Sequence, residues 1–148
     1  MNDLPPTFRS LLDEARGENG LEPPCPAERL QALQEQVQHA LNFELPPGYL
    51  HFLTTANGFN DFGLMVYAEA SNYAPASGNS ILGFLEANEE YRQRFPERIF
   101  FAEMGDDLLA YDQANQSFIN QDRDPGGVNE RYASFEEMLE ATASMLLE

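Results

Sequence analysis

The stretch LPPGYLHFLTTANGF, residues 45–59, determines where one helix ends and a second, buried helix begins. Proline lacks a backbone donor and crowds the preceding turn, so Pro46-Pro47 ends one helix, and Pro47 can open the next. Residues 49–56 are apolar almost all round, which predicts a short buried helix. Asn57-Gly58 tolerates positive φ and is predicted to be its exit. The prolines and the Asn-Gly pair therefore indicate two helices that meet at a sharp angle. They determine the fold and have no part in catalysis.

Three further helices are predicted by apolar residues at helical spacing, over 7–16, from Pro26 to about 41, and over 85–95. The final helix begins at Ser134, where Glu137 completes a capping box. The side chains predicted to be buried by the first, second and final helices are Phe8, Leu11, Leu12, Ala15; Leu30, Leu33, Val37, Ala40, Leu41; Phe135, Met138, Leu139, Thr142, Met145 and Leu146.

The segments between these helices read as strands. Residues 62–69 form one apolar run, and 79–84 is a further short candidate. The runs at 98–104, 107–113 and 117–122 are joined by short turns, which is typical of antiparallel neighbours. The prediction is an α+β fold: N-terminal helices, a mostly antiparallel sheet and a C-terminal helix packed on that sheet. Residues 1–148 are expected to form one domain, with 1–25 as an N-terminal helix and loop extension.

The charge of the chain limits its partners. Twenty-five Asp and Glu oppose eight arginines and no lysine, giving a formal charge of −17. This charge repels nucleic acid and anionic membranes, and it favours a basic protein partner. The alternative is that acidity only keeps the protein soluble. With neither a signal-peptide pattern nor an apolar run of spanning length, the expected location is the cytoplasm.

Catalytic and cofactor signatures are weak throughout the sequence. No phosphate-binding loop or zinc motif occurs, and Cys25 has acidic neighbours that would raise its pKa. Residues 120–130 fail the calcium-loop pattern, because Pro125 and Arg131 stand where glycine and glutamate are needed, so a plain hairpin or a strand-to-helix connection is expected. The prediction is a protein that is not an enzyme and has no cofactor or metal.

One acidic group remains as a candidate site. Glu103, Asp106, Asp107 and Asp112 are predicted to gather around one tight turn. Paired carboxylates can serve in hydrolysis, but adjacent aspartates in a turn are usually solvated. Binding of a partner is therefore the favoured role for this group.

Three motifs, taken in order, resemble the SUKH superfamily (the Smi and Knr proteins), and the resemblance spans roughly residues 26–148. The first is L-P-x-x-Y-x-x-F-L followed by N-G, the second is the strand, glycine turn and strand of FAEMGDDLLAYD, and the third is the helix start of ASFEEMLE. The residues that carry these motifs are Leu45, Pro46, Tyr49, Phe52, Leu53, Asn57, Gly58, Gly105, Tyr111, Ser134, Phe135 and Leu139. Phe59-Asn60-Asp61 replaces the usual tryptophan or second glycine after N-G, which indicates a divergent bacterial member.

The resemblance implies an α+β domain without known catalytic residues. Bacterial members are commonly immunity proteins that bind a polymorphic toxin, and fungal relatives regulate the cell wall through protein contacts. The leading hypothesis is therefore an immunity protein that binds and neutralises a basic toxin domain. The alternatives are a regulatory scaffold that binds a host protein, and an enzyme acting through Asp106 or Asp107. The partner's identity, the binding face, the oligomeric state and the role of the N-terminal extension stay open.

Overall fold

The computed structural model describes residues 4–18, 20–73 and 78–147. Within these ranges the helices are α1 (Pro6–Glu18), α2 (Ala27–Leu41), α3 (Pro47–Thr55), α4 (Phe84–Tyr91) and α5 (Phe135–Leu147). The strands are β1 (Phe59–Asp61), β2 (Leu64–Val66), β3 (Asn72–Tyr73), β4 (Ser80–Ile81), β5 (Arg98–Met104), β6 (Asp107–Asp112), β7 (Ser117–Asp122) and β8 (Val128–Tyr132). None of the helices in the described ranges is both long enough and apolar enough to cross a bilayer.

Six strands form one antiparallel sheet in the order β1-β2-β5-β6-β7-β8, and β3 pairs with β4 in a separate hairpin. Helix α5 packs on the sheet at β7 and β8 and also contacts α1 and α3. The predicted α+β class, with N-terminal helices and a C-terminal helix on an antiparallel sheet, is confirmed.

Helix α3 is buried in the core, as its apolar surface predicts, and it begins at the proline pair. Pro46 is its N-cap and Pro47 its first residue. The buried Tyr49 ring lies 5.3 Å from Phe101 and 5.8 Å from Phe135, and its hydroxyl donates to the Tyr67 carbonyl at 2.6 Å. These contacts join α3 to the sheet and to α5.

The exit from α3 differs from the prediction. Ala56 is the C-cap in an extended conformation, and Asn57 does not adopt positive φ; only Gly58 does, at +90°. Asn57 instead accepts the Glu69 backbone N–H on its side-chain oxygen at 2.9 Å. The N-G pair therefore fixes the start of the sheet to the segment after β2, rather than simply ending the helix.

Helix α4 occupies the part of the β5 edge that β2 leaves unpaired. The buried Asn88 side chain donates to the Phe100 carbonyl at 2.9 Å and accepts the Phe100 N–H at 2.7 Å. One amide thus takes the place of a neighbouring strand, which satisfies backbone groups that could not remain buried alone.

Helix α1 is fastened to α5 by a single carboxylate. Glu140 accepts the backbone N–H groups of Thr7 and Phe8 at 2.8 and 3.2 Å and the Thr7 hydroxyl at 2.7 Å. Those N–H groups belong to the first turn of α1, where helical donors lack intrahelical partners and a negative charge is favourable. Phe8, Leu11 and Ala15 are fully buried in the same core as α3 and α5.

Several sequence expectations about element bounds and burial were wrong. The expected strand 62–69 is reduced to Leu64–Val66, because Phe62 and Gly63 take positive φ and form the β1–β2 turn. The segment 79–84 contains only a two-residue strand, and α4 ends at Tyr91. No strand was predicted over residues 128–132, which form β8; of the two alternatives left open for residues 120–130, the structure has the hairpin, between β7 and β8. Met145 is 47% exposed and Ala40 is also exposed, because each lies at the margin of its helix's buried stripe.

Candidate functional site

The β5–β6 turn presents two of the four carboxylates singled out from the sequence. Gly105 adopts φ +59°, and Asp106 is exposed, whereas Asp107 is half-buried at the start of β6. Arg123, which follows β7, holds this turn: its backbone N–H donates to the Asp106 carbonyl at 2.7 Å and its guanidinium donates to the Gly105 carbonyl at 2.9 Å. Since both turn carbonyls are tied to one residue, the two aspartates are presented on a fixed backbone.

Glu103, the third carboxylate, faces inward rather than toward a partner. Its side chain is 18% exposed and accepts the hydroxyls of Tyr67 and Tyr91 at 2.9 and 3.0 Å. Arg123 completes the cluster, 3.5 Å from the carboxylate and 2.5 Å from the Tyr91 hydroxyl. The charge of Glu103 is thus already engaged within the molecule.

The cluster perturbs its tyrosines and its arginine. Burial, followed by the Glu103 charge, raises the pKa of Tyr67 well above its ordinary value and that of Tyr91 more modestly. Burial alone would lower the pKa of Arg123, but the acidic partners Tyr91 and Glu103 outweigh it and raise that pKa. Near neutral pH the tyrosines are therefore neutral hydrogen-bond donors to Glu103, and the arginine is charged.

Asp112, the fourth carboxylate, does not lie at the turn. It is the last residue of β6, opposite Arg98 of β5 in the strand register, whereas Asp107 is the first residue. A strand of this length separates its two ends by about 17 Å. The expectation that all four acids surround one turn is therefore wrong, because β6 runs through the sheet between them.

Asp112 anchors the β6–β7 turn. Its side chain is 4% exposed and accepts Asn115 Nδ2 at 2.8 Å, Arg131 Nη1 at 3.1 Å and the Ala114 N–H at 3.2 Å. Burial on its own would raise the pKa of Asp112, but these three hydrogen bonds and the charge of Arg98 together outweigh burial, and the pKa lies below its usual range. Like Glu103, Asp112 is neutralised by an arginine of the same molecule.

The surface next to the turn extends its negative charge. Asp107 accepts a long hydrogen bond from Asn120 at 3.4 Å, and Asn129 of β8 bridges Asn120 and Asp122 at 2.9 and 3.0 Å. Burial, then the charges of Glu130 and Asp107, raises the pKa of Tyr132. In the described ranges, no group of three or more His, Cys, Asp or Glu is placed to hold a metal ion.

The chain's cysteine is placed as a core residue. Cys25 is buried, and its backbone N–H donates to the Leu53 carbonyl at 2.8 Å. Burial raises the pKa of this thiol, while Arg29 acts in the opposite direction. The expected direction of the shift is therefore confirmed, but its cause is desolvation and not the neighbouring acids.

The residues that carry the three sequence motifs lie mainly in the core and at turns. Tyr49, Phe52, Phe135 and Leu139 are buried, and Leu45 is buried where the chain enters α3. The Ser134 hydroxyl accepts the Glu137 N–H at 3.1 Å, and Glu137 accepts the N–H of Ala133 at 3.0 Å. The Tyr111 ring packs 5.6 Å from Phe43 and 5.0 Å from Phe118. These positions shape the domain rather than a binding surface.

With this fold and these motif positions in place, comparison with known families gives a clear result. The model of the SMI1/KNR4 family (SUKH-1) matches residues 24–141, and the chain belongs to that family. The match begins just before α2 and ends within α5, so α1 lies outside it. No curated protein sequence matches the chain at a significant level. Membership is consistent with a protein-binding module of the immunity type, and domains of this family are generally non-catalytic.

Proposed function

We propose that the protein is an immunity protein that binds and neutralises a basic toxin domain, and that it does so without catalysis, in the cytoplasm. The observation that carries the proposal is the β5–β6 turn, where Asp106 and Asp107 are presented on a backbone fixed by Arg123. A preorganised charged turn loses little conformational freedom on binding, so more of its attraction is realised as affinity.

The division of roles among the four acids follows from their contacts. Asp106 and Asp107 contact the partner, because they belong to no ion pair identified in the described ranges. Glu103 supports the turn indirectly, because it pairs with the Arg123 that holds the turn carbonyls. Asp112 is paired with Arg131 and takes no part in the contact. The net charge of −17 steers a cationic domain toward the molecule and raises the association rate.

The test begins with affinity capture of the tagged protein from its own host's lysate at about 50 and about 150 mM NaCl, where screening lengths differ. The captured partner is identified by mass spectrometry, and its basic domain is purified. We expect Asp106→Asn/Asp107→Asn to weaken binding of that domain about tenfold, since two charge contacts are lost with little change of shape.

A matched control separates the turn from net charge. Glu14→Gln/Glu18→Gln removes two exposed charges from α1 and should change the affinity by less than about twofold. Equal losses in both double variants would contradict a role for the turn. Capture of a non-toxic regulatory protein of the host would replace the immunity proposal with that of a scaffold.

A further inference from the structure

One edge of the six-stranded sheet ends in an open strand. β8 (Val128–Tyr132) is the last strand in the sheet order, next to β7, and its three central residues are exposed. Among the described residues, no backbone hydrogen bond joins β8 to anything beyond its pairing with β7. Alternate residues of a strand direct their N–H and C=O groups to the same side, so the outward side of β8 keeps donors and acceptors without a protein partner.

The opposite edge of the sheet differs, because it is flanked by the separate hairpin. β4 lies beside β1, and Asn60 Nδ2 donates to the Ser80 carbonyl at 2.7 Å. Phe59, the first residue of β1, is buried. The β8 edge also carries no proline or lysine, two residues that commonly protect an open edge from pairing.

A bulge sets the length of the usable edge. The register between β7 and β8 shifts between Asn120 and Gln121, which leaves Asn129 as an extra residue in β8. The Asn129 side chain donates to Asn120 at 2.9 Å, and this bond ties the bulge to β7. The regular part of the edge is therefore 130–132, long enough to pair with a short extended segment.

The charges along this edge favour a basic segment. Arg131, the basic residue of β8, is already paired with Asp112 at 3.1 Å and donates to the Ser117 hydroxyl at 2.8 Å. Glu130 is exposed, and in the part of the chain that the structure describes it belongs to no ion pair. β8 thus offers an unpaired negative charge beside its free backbone groups.

The open edge begins at the same end of the sheet as the β5–β6 turn. Val128 lies opposite Gln121, and the next residue of β7, Asp122, lies opposite Asp107. β8 is two strands away from β6, a separation of about 10 Å. A strand added to β8 would lie about 15 Å from β6, so one small domain could contact both the turn and the edge.

A second copy of this chain is a poor occupant of the edge. Antiparallel pairing of two β8 strands about Glu130 places that carboxylate opposite its counterpart, and pairing about Arg131 opposes two arginines. Like charges directly opposite one another destabilise a pair of strands. Each copy also carries a net charge of −17, so the two copies repel each other.

We propose that the edge of β8 pairs with an extended segment of a basic protein, which adds a seventh strand to the sheet beside the β5–β6 turn. This inference rests on the proposed function, which supplies a basic partner, and it specifies how that partner binds. Main-chain hydrogen bonds to the edge hold the segment in place, and its cationic side chains lie near Glu130 and the turn.

The first test uses NMR on the full ¹⁵N-labelled chain, titrated with a capped octapeptide in which arginine and threonine alternate. Main-chain pairing depends little on sequence, so this peptide stands in for the unidentified segment. The control peptide has the same side chains but is N-methylated at its central residues, which removes the main-chain donors of both its edges. We expect saturable shift changes concentrated in residues 128–132 with the first peptide and none there with the control.

Three results would overturn the proposal. Equal binding of the two peptides would reduce the effect to charge attraction. Lack of saturable binding by the unmethylated peptide at about 1 mM would show that the edge does not take a basic strand. Slower amide exchange at 128–132 as the concentration of the free protein rises would identify a second copy as the occupant.

Matched charge reversals locate the binding. Glu130→Lys should weaken binding of the unmethylated peptide about tenfold, because it places a positive charge beside the added basic strand. Glu14→Lys changes the net charge equally but lies at an exposed position of α1, and it should weaken binding by less than about twofold. Equal losses in the two variants would refute the edge as the binding site.

Hydrogen exchange in the complex separates this inference from the proposed function. If the captured toxin domain is neutralised while the amides of 128–132 exchange as fast as in the free chain, the edge inference fails and the function stands. If a captured basic domain is not toxic but slows exchange at 128–132, the edge inference stands and the immunity function fails.

Discussion

Gly58 offers the sharpest test of how the N-G pair shapes this domain. It adopts φ +90°, a region that costs an L-residue about 1–2 kcal/mol. A Cβ at this position would lie 2.8 Å from Ala68 Cβ and 2.9 Å from Ile81 Cγ2. Overpacking of this kind typically costs a further ~1–3 kcal/mol. Gly58→Ala should therefore lower the free energy of unfolding by about 2–5 kcal/mol in total.

Gly63 supplies a matched control for that substitution. Its φ is +81°, but a Cβ there would meet nothing within 4 Å. Gly63→Ala should thus cost only the backbone component, about 1–2 kcal/mol. The assay is urea unfolding of both variants and the wild type, followed by far-ultraviolet circular dichroism. Equal destabilisation of the two variants would refute the packing argument and leave backbone strain as the whole effect.

Two further predictions concern the joints between helices. Glu140→Gln should lower the free energy of unfolding by about 1–2 kcal/mol, because a neutral amide replaces the carboxylate that caps the first turn of α1. Urea unfolding measures this loss, and an unchanged midpoint would mean that the cap is dispensable. Burial raises the pKa of Tyr49 well above its ordinary value of about 10, so the folded state keeps a proton that the unfolded state loses, and stability is intact below about pH 10 and falls above it. Tyr49→Phe should lower the free energy of unfolding by about 1 kcal/mol at neutral pH. Above about pH 10 it should make the fall of that free energy with pH shallower, by up to about 1.4 kcal/mol per pH unit. Parallel falls in the variant and the wild type would contradict a buried neutral phenol.

Local signals account for the parts of the fold that could be predicted from sequence. The Pro46-Pro47 pair and the cap residues Ser134 and Glu137 act on their immediate neighbours, so the starts of α3 and α5 are readable without tertiary information. Short turns likewise predict the β5–β6–β7 order, because tight connections join antiparallel neighbours.

Features that depend on distant contacts could not be predicted in the same way. β8 has an exposed Asn129-Glu130-Arg131 centre and lacks the alternation of a typical strand, so only its pairing with β7 defines it. Asn88 looks like an ordinary helical residue until the Phe100 backbone is placed beside it.

The candidate site was predictable only in part. Asp106 and Asp107 were identified correctly as neighbours at a turn, because they are adjacent in sequence. The inward orientation of Glu103 depends on Tyr67, Tyr91 and Arg123, which are 12 to 36 residues away, and no local pattern points to them. Residue spacing alone could have shown that Asp112 lies at the far end of β6, once 107–113 was predicted to be a strand.

The most direct test of the account is growth rescue by the protein itself. The basic domain captured from the host would be expressed under an inducible promoter in a bacterial strain, with and without the acidic chain. The account predicts growth arrest by the domain alone, full rescue by the wild-type chain, and weaker rescue by Asp106→Asn/Asp107→Asn at matched expression. Growth arrest that the wild-type chain does not relieve, although the two proteins bind, would contradict the immunity function.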